Sequence, residues 1–121
     1  MYDPAEIVNR YIALWHEPDP ARRRAAVAAF WRPDGACLSA SIEARGYEEL
    51  EARVARAHQR WVVDEGCLFR ARGEVAGHHG AVKFAWEMVP REGGEVISLG
   101  RDFFLVDDDG RVHVVYQFVE P

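Results

Sequence analysis

Apolar side chains recur at Ile7, Val8, Tyr11, Ile12 and Trp15, the spacing of a helix with one buried face. Its start is marked by Asp3-Pro4-Ala5-Glu6: an acid at the N-cap, proline at the first helical position and a glutamate able to reach back to the cap. Pro18 and Pro20 disfavour helix in the residues before them and end it near His16. Asp19-Pro20 repeats the start signal for a second helix that buries Val27, Phe30 and Trp31 and stops before Pro33-Asp34-Gly35, a turn signature. A short strand, Ala36 to Ser41, precedes Gly46. Tyr47, Leu50, Val54, Ala57 and Trp61 then alternate at spacings of three and four, a third amphipathic helix. From Cys67 onward the period drops to two and β-branched residues multiply, which predicts strands near 67 to 77, 81 to 89, 95 to 106 and 111 to 119. No repeat, low-complexity tract or linker interrupts the chain. The order predicts one α+β domain over residues 1–121, with three helices ahead of an antiparallel meander.

Composition adds little to that picture and removes several others. Of the 121 residues, 49% are hydrophobic and 29% charged, enough apolar content for a single buried core and too much for a disordered chain. The net charge of −5 comes wholly from residues 61–121, and no basic stripe interleaved with aromatics appears, so a nucleic-acid partner is not expected. Arg22, Arg23 and Arg24 point in three directions on a helix and read as a solvated face. Cys37 and Cys67 lack zinc or redox spacing and read as buried free thiols. Adjacent His78 and His79 diverge on an extended segment, and Asp107-Asp108-Asp109-Gly110 lacks the alternating ligands of a calcium loop, so no metal is expected. With neither a basic-then-apolar leader at the N-terminus nor an apolar run long enough for a membrane span, a cytoplasmic protein with no membrane partner is the expectation.

The element order resembles that of the nuclear-transport-factor-2-like superfamily, in its SnoaL-like and ketosteroid-isomerase-like branch, over essentially the whole chain. Local likenesses are Val8 to Leu14 in the first helix, Phe30 to Ala36 entering the first strand, Gly46-Tyr47-Glu48-Glu49-Leu50 opening the third helix, and Arg101-Asp102-Phe103-Phe104 followed by Asp109-Gly110-Arg111-Val112. The resemblance implies a cone: a curved antiparallel sheet wrapped around three N-terminal helices, with an internal apolar pocket and a homodimer paired through outer sheet faces. The outward residues of the last strands, Phe103, Leu105, Val114, Tyr116 and Phe118, are apolar enough to want such a partner.

Tyr11 and Asp102 fall where ketosteroid isomerases place a tyrosine and a protonated aspartic acid that stabilise a dienolate oxygen. That enzyme is the standard illustration of an apolar site keeping a carboxylic acid neutral so that it donates a hydrogen bond. Catalysis, ligand binding and a structural hydrogen bond are all open roles for Asp102. The isomerases' proton-shuttling aspartate is replaced here by Ser39, which cannot abstract a carbon-bound proton. Epoxide hydrolases of this fold use an arginine and an aspartate two apart on one strand. Arg101 and Asp102 are adjacent and must face opposite sides, and Gln117 supplies no second carboxylate.

Dehydratases of this fold use histidines with an aspartate, which makes His58 a candidate acid/base, or else a histidine at the edge of the helix interface bonded to a carbonyl. Trp15, Trp31, Trp61, Phe84, Trp86, Met88 and Phe104 supply the apolar walls of a pocket for a flat molecule, with Ser39 and Gln117 as polar contacts. The expected function is binding of a small hydrophobic carbonyl, phenolic or polyketide-like molecule. It includes cofactor-independent isomerisation, cyclisation or dehydration by Asp102 and Tyr11 with His58, the alternative being a non-catalytic ligand-binding or dimerisation module.

Overall fold

The Asp3 carboxylate accepts from the Ala5 N–H at 3.0 Å and the Asp19 carboxylate from the Arg22 N–H at 2.8 Å, so both proline-led starts are real caps. They open α1 (Pro4–His16) and α2 (Pro20–Phe30) in a computed structural model that describes residues 2–120. Met1 and Pro121, the ends of the expected 1–121 domain, lie outside the described residues.

β1 (Trp31–Leu38) begins where α2 ends, so Pro33-Asp34-Gly35 is not the expected turn. It forms a bulge: successive pairs with the neighbouring strand run from Trp31↔Val112 to Ala36↔Val114, five steps on one strand against two on the other. The Trp31 carbonyl accepts from the Tyr47 hydroxyl at 2.8 Å and from Arg111 at 3.1 Å, so side chains satisfy the backbone that the ladder leaves unpaired there. β2 (Glu43–Arg45), which the hydrophobic pattern does not predict, pairs with β1 and leads into α3 (Gly46–Ala57). The third helix does not run straight to Trp61, because its last turns widen into a π-helical segment, His58–Asp64.

The meander follows the sequence pattern closely as β3 (Cys67–His78), β4 (Ala81–Pro90), β5 (Ser98–Val106) and β6 (Val112–Glu120). The six strands form one sheet in the order β2-β1-β6-β5-β4-β3. It is a mixed sheet and not a purely antiparallel one, because β1 and β6 run parallel. The connection between those two strands passes through β2, α3 and the rest of the meander, long enough to bring the chain back in the same direction.

The sheet curves around the helices, and Tyr11, Phe30, Trp31, Phe84 and Phe104 meet in the core, with the Tyr11 ring 4.7 Å from Phe104 and 5.4 Å from Phe30. Along β5, Gly100, Asp102, Phe104 and Val106 are buried while Arg101, Phe103 and Leu105 face out. Phe103, Leu105, Tyr116 and Phe118 are exposed as expected, whereas Val114 is buried. Both cysteines are buried and free. Among the described residues, no helix is long and apolar enough to cross a membrane.

Candidate functional site

Trp86 on β4 stands directly across the ladder from Gly100 on β5. A side chain at 100 would overlap the indole, so glycine there lets Trp86 lie flat along the inner face of the sheet. In that position the indole N–H reaches the Asp102 carboxylate at 2.9 Å. The other carboxylate oxygen accepts from the Tyr11 hydroxyl at 2.6 Å. The Tyr11 oxygen accepts in turn from the Gln117 amide at 2.8 Å, and the Gln117 carbonyl accepts from Arg53 at 3.1 Å.

The direction of this chain is fixed by its ends. A guanidinium only donates, so the Gln117 oxygen faces Arg53 and its nitrogen faces Tyr11, which leaves the tyrosine proton for Asp102. An indole N–H also only donates. Asp102 therefore accepts from both neighbours, and these two bonds favour its ionised form. Burial of the carboxyl, only 1% exposed, pulls the other way and raises its pKa above the ordinary 3.8. The bonds from Tyr11 and Trp86 and the Arg53 charge oppose that rise without cancelling it. Burial, followed by the charge of Asp102, raises Tyr11 well above its usual range, so it remains a phenol. Burial pushes the Cys37 thiol up to about 12, which rules out a ready thiolate.

The chain of bonds borders a cavity of about 420 Å³. Of the sequence candidates, Tyr11, Trp15, Ser39, Trp61, Trp86, Met88, Asp102 and Gln117 line it, together with Ile12, Phe69, Ile97 and Val119. Trp31, Phe84 and Phe104 do not. Trp31 and Phe104 are fully buried and Phe84 nearly so; Phe84 and Phe104 share the inner face of their strands with Trp86 and Asp102 but sit two residues along, and all three join the ring cluster around Tyr11.

His58 is the largest correction. It is absent from the cavity wall and packs toward α2, its Nδ1 3.2 Å from the Arg23 guanidinium, so it is neither the pocket's acid/base nor bonded to a carbonyl. His58 follows Ala57 by one residue, about 100° around the helix from the side on which Arg53, Ala57 and Trp61 line the cavity. Arg23 is likewise not on a solvated face: it is buried, and donates to the Glu17 carbonyl at 2.8 and 3.1 Å.

Arg53 is the residue that sequence reasoning missed. It sits three residues after Leu50 and four before Ala57, and so borders the apolar stripe of α3, a spacing that signals a half-buried position.

No protein-family model matches the sequence, and no curated protein matches it. Solved structures do. A SnoaL-like family protein assigned as an isomerase, from Agrobacterium tumefaciens, is 25% identical with a TM-score of 0.87, covering 97% of each chain. A protein assigned as a polyketide cyclase, from Sinorhizobium meliloti, is 13% identical with a TM-score of 0.71, covering 96% of this chain and 99% of its own. An NTF2-like protein of unknown function from Exiguobacterium is 13% identical with a TM-score of 0.70, covering 94% and 98%. Three helices held in a curved, unclosed mixed sheet around a cavity define the α+β class with a cystatin-like fold. The chain belongs to the SnoaL-like, nuclear-transport-factor-2-like superfamily.

Proposed function

We propose that the cavity binds a small hydrophobic carbonyl, phenolic or polyketide-like molecule and that Asp102 moves a proton on it, in an isomerisation, cyclisation or dehydration that needs no cofactor. The observation that carries this reading is a buried carboxylate, held by Tyr11 and Trp86, on the wall of an otherwise largely apolar cavity. The assignments of the SnoaL-like and cyclase neighbours support the same class of chemistry.

Each carboxylate oxygen keeps a second acceptor position beyond its one hydrogen bond. Burial makes the group a stronger base than an exposed carboxylate. It takes a proton from the carbon beside a carbonyl. Once protonated, it returns that proton to a second carbon in an isomerisation, or to a departing hydroxyl in a dehydration. Tyr11 and Trp86 are positioning residues that aim the carboxylate, while Trp15 and Trp61 clamp a flat substrate and exclude water.

The runner-up is a binding module without catalysis, favoured by Ser39 on the cavity wall, which offers a hydroxyl and no second base. Cavity tryptophan fluorescence, quenched by a panel of phenols and enolate analogues across pH, measures binding. Loss of deuterium from the α-carbon of hydrophobic ketones measures proton abstraction. Wild type should do both. Asp102→Asn should abolish exchange, and Asp102→Asn and Tyr11→Phe should each weaken phenol binding at least about tenfold, ~1.4 kcal/mol. Binding with no exchange for any ketone leaves the binding module, and no binding at all removes both readings.

The proposal includes a homodimer through the outer sheet face, where Phe103 and Phe118 pack edge to face at 5.7 Å beside exposed Leu105 and Tyr116. Sedimentation at micromolar concentration should give twice the 13.8 kDa of one chain. A species of single-chain mass overturns the dimer.

A further inference from the structure

We infer that the ligand of this cavity is an acid, a flat conjugated monocarboxylate, and that Arg53 reads its two oxygens. This rests on the cavity-binding reading above and adds the charge of the ligand to it. Arg53 lines the cavity with a fixed positive charge, and none of the ion pairs among the described residues involves it. Asp102 does not fill that gap. Its oxygens accept from Tyr11 and Trp86, hydrogen bonds join it to Arg53 only by way of Tyr11 and Gln117, and the Arg53 charge acts on it without an ion pair.

Of the five guanidinium donors, one is used on the Gln117 carbonyl, the buried Cys37 thiol lies beside the group, and the buried Nε has no hydrogen-bond partner. The Trp15 ring, 5.5 Å from the guanidinium, compensates only part of its lost hydration. A half-buried cation whose Nε is buried without a hydrogen-bond partner, facing a largely apolar space, gains when an anion joins it. A neutral carbonyl accepts from such a group without balancing its charge. A carboxylate matches the planar fork with two parallel bonds and neutralises it. The tryptophans that share the cavity, Trp15, Trp61 and Trp86, suit a flat apolar body attached to that head group.

The test compares 2-naphthoate with 2-naphthamide, which share rings and shape and differ in charge, by quenching of cavity tryptophan fluorescence at pH 7 and low salt. Wild type should bind the acid at least about tenfold more tightly than the amide. Arg53→Met, of similar length and uncharged, should bring the two to parity, and Arg53→Lys should retain part of the preference. Circular dichroism checks that each variant is folded, and where Arg53→Met is not, the wild-type ratio and Arg53→Lys decide. Equal affinity in wild type, or a preference that survives Arg53→Met, overturns the inference while leaving the cavity-binding reading in place. Failure of both probes to quench at millimolar concentration sinks that reading and the inference together.

Discussion

Two clusters of buried polar groups divide the molecule, and they are built from different partners. On the inner face of β5, Asp102 is held entirely by side chains, Tyr11 and Trp86, and the chain continues through Gln117 to Arg53 along the wall of a cavity. Where α1, α2 and the π-helical segment meet, Arg23 is held mainly by main-chain oxygen, the Glu17 carbonyl just past the end of α1, with His58 against its outer edge. A carbonyl at a helix end is an acceptor fixed in place, and a cation there completes the helix. Side-chain partners can exchange roles as a proton moves. Burial of charge is common to both clusters, so it does not mark a site; a cavity and partners that tolerate a change of protonation do.

The largest effect is expected from removing the cation that borders no cavity. Arg23→Met leaves the Glu17 carbonyl without its charged donors and should cost about 2–3 kcal/mol, read as a lower urea midpoint. Affinity for phenols, measured at a temperature where the variant is folded, should be unchanged. A loss of binding would join the two clusters into one functional unit.

Gly100→Ala probes the other cluster. The new methyl group displaces the Trp86 indole from the sheet, at a stability cost of about 1–2 kcal/mol. With the indole displaced, Asp102 loses a donor, so phenol affinity should fall with stability. A variant that loses stability and keeps full affinity would show that Trp86 is packing alone.

The difference between the clusters also explains what was legible in the sequence. The proline-led caps, the stripe of α3 and the period-two meander are local signals, and each predicts its element to within a few residues. Tyr11 and Asp102 are 91 residues apart, yet their meeting follows from the resemblance and from alternation along β5. The parallel pairing of β1 with β6 has no local signature, because it depends on where a long connection returns the chain.

The bulge at Pro33-Asp34-Gly35 carries the residues of a turn and becomes strand only because Tyr47 and Arg111 satisfy the Trp31 carbonyl from elsewhere. His58 lies beside the apolar stripe, one residue and so about 100° around the helix from Ala57, which lines the cavity with Arg53 and Trp61. Arg53 is not legible in the sequence as a cavity residue because a charged residue bordering a stripe ordinarily snorkels to solvent.

The smallest expected effect separates the clusters by pH. Burial, followed by the nearby charges of Arg23, His16 and Arg91, lowers the His58 pKa below its ordinary 6.5, against the opposing charge of Glu17. The unfolded chain therefore takes up this proton before the folded one does. The stability tied to His58 is complete above about pH 6.5 and is lost as the pH falls below it toward the folded value. His58→Gln keeps an acceptor for Arg23 and removes the titration, so its urea midpoint should fall less than wild type's between pH 6.5 and pH 5.

Asp102 works in the opposite sense. Its pKa is raised above 3.8, so its contribution is complete below that value and declines as the pH rises through the folded one. The stability difference between wild type and Asp102→Asn should then shift toward the variant as the pH rises from about 4. Two difference curves of opposite slope would confirm that one cluster resists a proton and the other holds it. Parallel curves would mean that in one cluster the partners outweigh burial, the donors and the Arg53 charge at Asp102 or the Glu17 charge at His58.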